Sequence, residues 1–229
     1  MTVVKNVAWF DVDDVLLDFI GGFNTYLQTK GIKIDKDYLP KEWNYTCVFS
    51  EPNGAKEHID TFIREGCGNL DMLGKARYML QMAKKNDWEV NLITAFPAVQ
   101  MMERLNNLSS LGLNFDHYYS TFHYDHLGTP HFIDKCELIE KLRYNQENIF
   151  NMLVDDRHVT VRKFIKKIKT GAGVTVPYSY NDASILEHAK FDTHEEKKRI
   201  KLASCGTNKN SAINDMHDLV IDLILSKRI

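Results

Sequence analysis

Short apolar runs alternate along this chain with longer stretches in which apolar positions recur every three to four residues. That alternation predicts an α/β fold, a parallel sheet covered by helices. The runs at 6–10, 90–95, 117–121, 152–154 and 174–176 read as strands, because short apolar stretches of this kind suit strands buried on both faces. Residues 72–85 (MLGKARYMLQMAKK) and 134–143 (DKCELIEKLR) carry helical spacing and read as crossover helices. Residues 159–169 (VTVRKFIKKIK) predict a further helix, and 212–227 (AINDMHDLVIDLILSK) an amphipathic one, preceded by a polar loop at 204–211. The segment from about 21 to 70 breaks the rhythm with Pro40, Pro52 and several glycines among aromatic, helix-like patches. It predicts a small, mainly helical cap at 21–70 inserted after the first strand of a core domain made of 1–20 and 71–229.

Composition fits this picture and narrows the partners. A chain of 229 residues with 44% hydrophobic and 26% charged residues can bury a sizeable core. With 29 Lys and Arg against 31 Asp and Glu, the net charge of -2 creates no chain-wide attraction for nucleic acid or an acidic membrane surface. Cys47, Cys67, Cys136 and Cys205 form no C-x-x-C pair, which argues against a zinc knuckle or a disulfide framework and for reduced thiols. The opening MTVVKNVAWFDVDD lacks a small-residue cleavage site, and no apolar stretch approaches the roughly 20 residues that span a bilayer. The expected location is the cytoplasm.

The acidic clusters carry the chemistry. Asp11-Val12-Asp13-Asp14-Val15-Leu16-Leu17-Asp18 follows directly on the apolar run Val7-Ala8-Trp9-Phe10. Open parallel sheets bind ligands beyond the carboxyl ends of their strands, so Asp11 is delivered to where a site forms. Two carboxylates one residue apart on a turn can divide a transfer reaction: one attacks phosphorus and shares a magnesium ion, the other handles the leaving-group proton. Asp155 and Asp156 form a second pair after Met152-Leu153-Val154. One or two carboxylates from each strand end suffice for magnesium, which prefers oxygen ligands and keeps several waters. Thr94 and Ala95 end the run at 90–95, where a hydroxyl and a backbone amide can hold a phosphoryl oxygen. Lys135 supplies a cation at a helix start marked by Asp134, which favours it over Lys141 on the same helix.

In this order the four elements resemble motifs I to IV of the haloacid dehalogenase superfamily, over most of the chain outside the insert. The resemblance implies a Rossmann-like core with a helical cap, and magnesium-dependent phosphomonoester hydrolysis through an aspartyl-phosphate. It makes Asp11 the nucleophile, Asp13 the general acid and base, Thr94 the phosphate-binding hydroxyl, Lys135 the motif III lysine and Asp155 a metal ligand. The backbone carbonyl of Asp13 becomes a further metal ligand, and Asp156 supports the metal shell. DVDDVLLDFIGGF and Leu153-Val154-Asp155-Asp156-Arg157 are also similar to the 5'(3')-deoxyribonucleotidases, which implies a small-molecule phosphate monoester, a nucleoside monophosphate, as substrate. Phe19 then lines the base pocket, with Trp43 nominated from the cap. Two residues depart from that pattern: Asp14 stands in place of a Gly, and Ala95 in place of a Ser whose hydroxyl would help hold phosphate.

Other readings compete. A calcium loop fails because Val15, Leu16 and Leu17 fill positions that need ligands and a Gly turn. His123, His126 and His131 have no zinc-site spacing and read as surface residues or loop anchors. Arg162, Lys163, Lys166, Lys167 and Lys169 form a basic helix face, the sole support for a nucleic-acid end phosphatase; Phe164, Ile165 and Ile168 make it a solvated face of a packed helix instead. A catalytically silent scaffold of the same fold has no chemical need for Asp11, Asp13, Lys135 and Asp155 together.

Overall fold

The computed structural model describes residues 6–35, 37–40, 45, 48–49, 54–142, 149–175, 193–203 and 209–226. Among these residues one seven-stranded sheet runs in the order β4-β3-β2-β1-β5-β6-β7. Its strands are β1 (Val7–Phe10), β2 (Glu89–Pro97), β3 (His117–Tyr124), β4 (Pro130–Phe132), β5 (Asn151–Val154), β6 (Gly171–Thr175) and β7 (Ile200–Leu202). Neighbours are parallel except β3 and β4, which pair antiparallel. The helices are α1 (Phe19–Thr29), α2 (Gly54–Glu65), α3 (Ala76–Lys85), α4 (Met101–Ser110), α5 (Lys135–Leu142), α6 (His158–Lys167), α7 (His194–Arg199) and α8 (Lys209–Ser226).

β1 is the axis of the molecule, and its four residues are all buried. Successive side chains of a strand point to opposite faces, so the run divides between two layers. Ala8 and Phe10 join Leu92, Met152 and Val154 in a core shared with Met79 of α3, Leu108 of α4 and Met216 of α8. Val7 and Trp9 join Ile93 and Leu153 in a second core, roofed by Ile139 of α5 and Phe164 of α6. Each large side chain so buried contributes about 1.5–3 kcal/mol of hydrophobic stabilisation. Phe10 lies opposite Leu92 on one side and Val154 on the other, so β1 and β5 end together. The chain leaves β1 towards β2 on one side and returns to β5 on the other, which makes this edge the switch point of the sheet.

The structure corrects several element boundaries. The strand expected at 174–176 runs from 171 to 175, hidden by Gly171-Ala172-Gly173, which lacks the usual β-formers. A Cβ on Gly173 would lie 2.3 Å from Val161 Cγ1, so glycine is what lets α6 lie against β6. The helix expected from 72 begins at Ala76, because Met72 bridges to Leu17 and Gly74 takes φ +42°. The hydrophobic pattern gives no sign of α4. Its buried residues are Arg104, Asn107 and Leu108, so polar side chains occupy the face that periodicity would require to be apolar.

Between β1 and α3, the helices α1 and α2 meet through Phe62, whose ring lies 5.3 Å from Phe19, 5.5 Å from Phe23 and 5.4 Å from Tyr26. These aromatics belong to the same contiguous core as α3 and α8. The segment therefore packs directly on the sheet domain and shares its apolar interior. Among the described residues no helix is long and apolar enough to cross a membrane. Cys67 and Cys136 are buried free thiols; Cys47 and Cys205 lie outside the described residues.

Candidate active site

The carboxyl end of β1 passes into a tightly bonded turn. The Asp11 N–H donates to Val154 O at 2.8 Å, extending the ladder one residue past the end of β1. Leu16 and Leu17 N–H both return to Val12 O at 2.9 Å, and Asp14 N–H donates to Leu17 O at 2.8 Å. Asp14 takes φ +56°, a left-handed conformation that Asp tolerates better than most residues, so it keeps a backbone shape that Gly would adopt freely. Its buried carboxylate accepts from Ile20 N–H at 3.2 Å and from Lys209 Nζ at 2.8 Å. Burial raises the Asp14 carboxyl above the usual range while Lys209 opposes that rise. Lys209 also bonds Asp18, the N-cap of α1. Further along α8, His217 Nε2 lies 2.9 Å from Val15 O and its Nδ1 accepts Lys75 N–H at 3.0 Å. The last helix thus grips the turn at two points.

Beyond that turn, three carboxylates gather, and two of them share one ammonium. Asp11, Asp155 and Asp156 are buried and each offers an oxygen within 4.8 Å of the others. Lys135 Nζ lies 2.6 Å from Asp11 Oδ2 and 2.8 Å from Asp155 Oδ2. The lysine is aimed by its helix start: Asp134 Oδ1 accepts the N–H groups of Cys136 at 3.0 Å and Glu137 at 3.1 Å. Burial pushes the Asp11 carboxyl up to about 7; Lys135 pulls it down, and the like charge of Asp155 adds to the rise. The Lys135 ammonium is held protonated because Asp11 and Asp155 outweigh the cost of its burial. One cation against three carboxylates leaves excess negative charge, and an all-oxygen donor set suits a hard divalent cation such as magnesium.

Asp13 faces elsewhere. Its Oδ1 lies 2.9 Å from Arg104 Nη2, and its Oδ2 receives the Thr94 hydroxyl at 3.4 Å. The same hydroxyl accepts the Phe96 N–H at 3.0 Å. Here β2 shifts register against β3, with Thr94 opposite Ser120 but Pro97 opposite Phe122, so one extra residue is accommodated. A bulge of this kind re-aims side chains at a strand end, and Ala95 emerges on the open side while Thr94 stays buried.

Part of this cluster forms the floor of a cleft of about 560 Å³. Asp11, Asp13, Thr94, Ala95, Lys135 and Asp156 line it together with apolar walls from Phe19, Ile59, Ile63, Phe96, Pro97 and Phe132. Arg157 stands beside Asp156 in the same lining. The arrangement can present a buried carboxylate as nucleophile, a cation beside it, a second carboxylate for proton transfer and an apolar wall for the rest of a ligand.

The whole architecture has solved counterparts. A predicted phosphatase from Clostridium acetobutylicum superposes with TM-score 0.55 at 16% identity, over 96% of this chain and 99% of that one. A dehalogenase matches with TM-score 0.53 at 11% identity, over 90% and 95%. A Had-superfamily hydrolase from Ehrlichia chaffeensis matches with TM-score 0.50 at 15% identity, over 96% and 98%. This is the haloacid dehalogenase fold. No family model matches the chain, and no curated protein matches it in sequence. At these identities the likeness is one of fold.

Within the haloacid dehalogenase fold, the residues nominated from the sequence fall into two groups. Asp11, Asp155, Asp156 and Lys135 form one contact cluster, with Asp13 and Thr94 beside it, while Lys141 is exposed in the last turn of α5. Phe19 and Ala95 line the cleft, and Trp43 lies outside the described residues. The histidines do not build a metal centre: among the described residues the acidic triad is the sole candidate, and His131 pairs with Asp125 at 3.1 Å. The basic face of α6 is partly spent on α5, through Lys163 to Asp134 at 2.8 Å and Lys167 to Glu140 at 2.9 Å. Sequence reading missed Arg104 and Lys209. A lone arginine in a polar helix and a lysine in SCGTNKNS carry no local signal that separates them from surface residues.

Proposed function

We propose that this protein is a magnesium-dependent phosphomonoester hydrolase that works through an aspartyl-phosphate on Asp11. The observation that carries the reading is the cluster of Asp11, Asp155, Asp156 and Lys135, of which Asp11, Asp156 and Lys135 line an apolar-walled cleft. The fold likeness to a predicted phosphatase from Clostridium acetobutylicum agrees with it. Asp11, Asp155 and Asp156, with the Asp13 carbonyl, would hold magnesium, which would supply Lewis-acid charge at a phosphate oxygen.

A carboxylate oxygen of Asp11 attacks phosphorus as the bond to the leaving oxygen breaks, and Asp13 donates its proton to that oxygen. Asp13 then takes a proton from the water that attacks the aspartyl-phosphate, which returns Asp11 and frees phosphate. Lys135 stabilises the charge on nucleophile and phosphoryl oxygens throughout. Phosphate monoesters are among the slowest esters to hydrolyse unaided, so positioned charge has to supply most of the acceleration.

The substrate we favour is a nucleoside monophosphate, with residues 21–70 as a cap over the cleft. Phe19, Ile59, Ile63, Phe96 and Phe132 offer the apolar surface that a planar base requires. Deoxyribonucleotidase-like sequence around Asp11 and Asp155 supports the same choice. A nucleic-acid end as substrate is less well supported, since Lys163 and Lys167 already have acidic partners. The test is phosphate release from deoxy- and ribonucleoside monophosphates, sugar phosphates and a phosphorylated oligonucleotide, with magnesium and with EDTA. Magnesium-dependent release concentrated on nucleotides, lost in Asp11→Asn, is expected; Asp11→Asn at wild-type rate would remove the assigned nucleophile.

A further inference from the structure

Arg104 occupies an unusual place for an arginine. It sits on α4 with its side chain fully buried, behind the floor of the cleft and outside its lining. Its Cζ lies 4.1 Å above the centre of the Phe96 ring, and its Nη2 lies 2.9 Å from Asp13 Oδ1. That contact is an ion pair without hydrogen-bond alignment: Nε, Nη1 and Nη2 all lack a hydrogen-bond partner, as does Asp13 Oδ1. Nearby Cys67 and Tyr118 are pushed towards their neutral forms by burial, so neither competes with Asp13 as a counter-charge. A buried guanidinium is costly without an acceptor, so Oδ1 stays against it whether Oδ2 is ionised or carries the proton passed to the substrate, and the contact resists any rotation of Asp13 that would separate it from Arg104.

The consequence falls on the orientation of Asp13. Its Oδ1 is fully buried against Arg104, which leaves Oδ2 as the oxygen on the cleft side, next to the Thr94 hydroxyl. Asp13 lines the cleft, with its side chain 20% exposed. Proton transfer demands that the donor oxygen stay within hydrogen-bond reach of the leaving oxygen. We infer that Arg104 is a positioning residue that fixes Asp13 with Oδ2 towards the substrate, and so acts on the reaction through the proton donor without touching the ligand. This inference rests on the phosphatase reading given above.

A purely structural arginine and a positioning one differ in how their loss depends on the leaving group. Phenyl phosphate expels a phenol with a pKa of about 10, so its departure needs the proton from Asp13, whereas the nitrophenolate of p-nitrophenyl phosphate leaves readily as an anion. The quantity to measure is the ratio of kcat/KM for phenyl phosphate to that for p-nitrophenyl phosphate, because kcat/KM covers steps only through departure of the leaving group. The two esters are assayed on one preparation, so the ratio is independent of how much protein is folded. Asp13→Asn and Arg104→Gln are each expected to lower the ratio by at least about tenfold, and the double variant to lower it no further. Arg104→Lys, which keeps the buried charge, should recover part of the ratio and supplies folded protein where Arg104→Gln does not. A wild-type ratio in the Arg104 variants, whatever their absolute rates, overturns the positioning role while leaving the phosphatase intact. An unchanged ratio in Asp13→Asn removes Asp13 as proton donor and the inference with it. Failure of the wild-type protein to release phosphate from either ester with magnesium overturns the functional reading itself.

Discussion

His217 should make the stability of this protein fall in mild acid, by an amount that the structure sets. The ring is fully buried, and burial pulls its pKa down to about 4 from the ordinary 6.5. Nδ1 accepts the Lys75 N–H, so it has no room for a proton, and Nε2–H donates to Val15 O. Because the folded pKa lies below the unfolded one, the unfolded chain binds more protons between about pH 4 and 6.5, and stability is lost as pH falls through that window. A difference of this size corresponds to a loss of about 2 kcal/mol at pH 5 and about 3 kcal/mol below pH 4. Asp11, whose carboxyl is raised by burial, works in the opposite direction: the cost of its charge is relieved as pH falls below about 7. The contribution of His217 is therefore read as a difference between wild type and His217→Gln, which keeps a donor for Val15 O but does not titrate. Urea unfolding at pH 7, 6 and 5 should show the variant losing about 2 kcal/mol less than wild type across the series. Parallel stability curves for the two proteins would refute the buried, neutral imidazole.

Two further perturbations separate charge from packing. Lys135→Gln leaves Asp11 and Asp155 without their shared ammonium, and should cost about 100-fold or more in turnover and about 3 kcal/mol in the metal-free protein; turnover within tenfold of wild type and an unchanged urea midpoint would remove the role given to the lysine. Gly173→Ala places a Cβ 2.3 Å from Val161 Cγ1 and should cost about 1–3 kcal/mol, partly recovered by Val161→Ala, in thermal melts; an alanine variant as stable as wild type would mean that the helix yields freely.

The parts of this molecule legible in the sequence are those whose neighbours lie close along the chain or whose burial is complete. Val7-Ala8-Trp9-Phe10 and Met152-Leu153-Val154 stand out because central strands bury both faces, and the acidic pairs stand out because they follow those strands directly. Lys135 is reached through Asp134, a cap that the sequence displays. α4 escaped because its inward face is built from Arg104 and Asn107. Asn107 exchanges two 3.1 Å hydrogen bonds with the backbone of Leu70, a partner 37 residues away. β4 escaped because all three of its residues are exposed, so its pattern has no apolar period. Long-range polar pairing and edge strands leave no trace in a hydrophobic pattern.

The grip of α8 on the turn after β1 also governs when the cluster can come into being. Lys209 and Asp18 are 191 residues apart, and His217 and Val15 are 202 apart, so these contacts span most of the chain. Contacts of such sequence separation form late, because the intervening chain must first surrender its freedom. During synthesis β1 and its carboxylates emerge long before α8, so Asp14 and Asp18 wait for their lysine until the intervening strands and helices have been made. The nascent chain therefore carries this run of acids with no partner from α8, and the finished geometry around Asp11 is reached only when α8 docks against α3 and closes on the turn after β1.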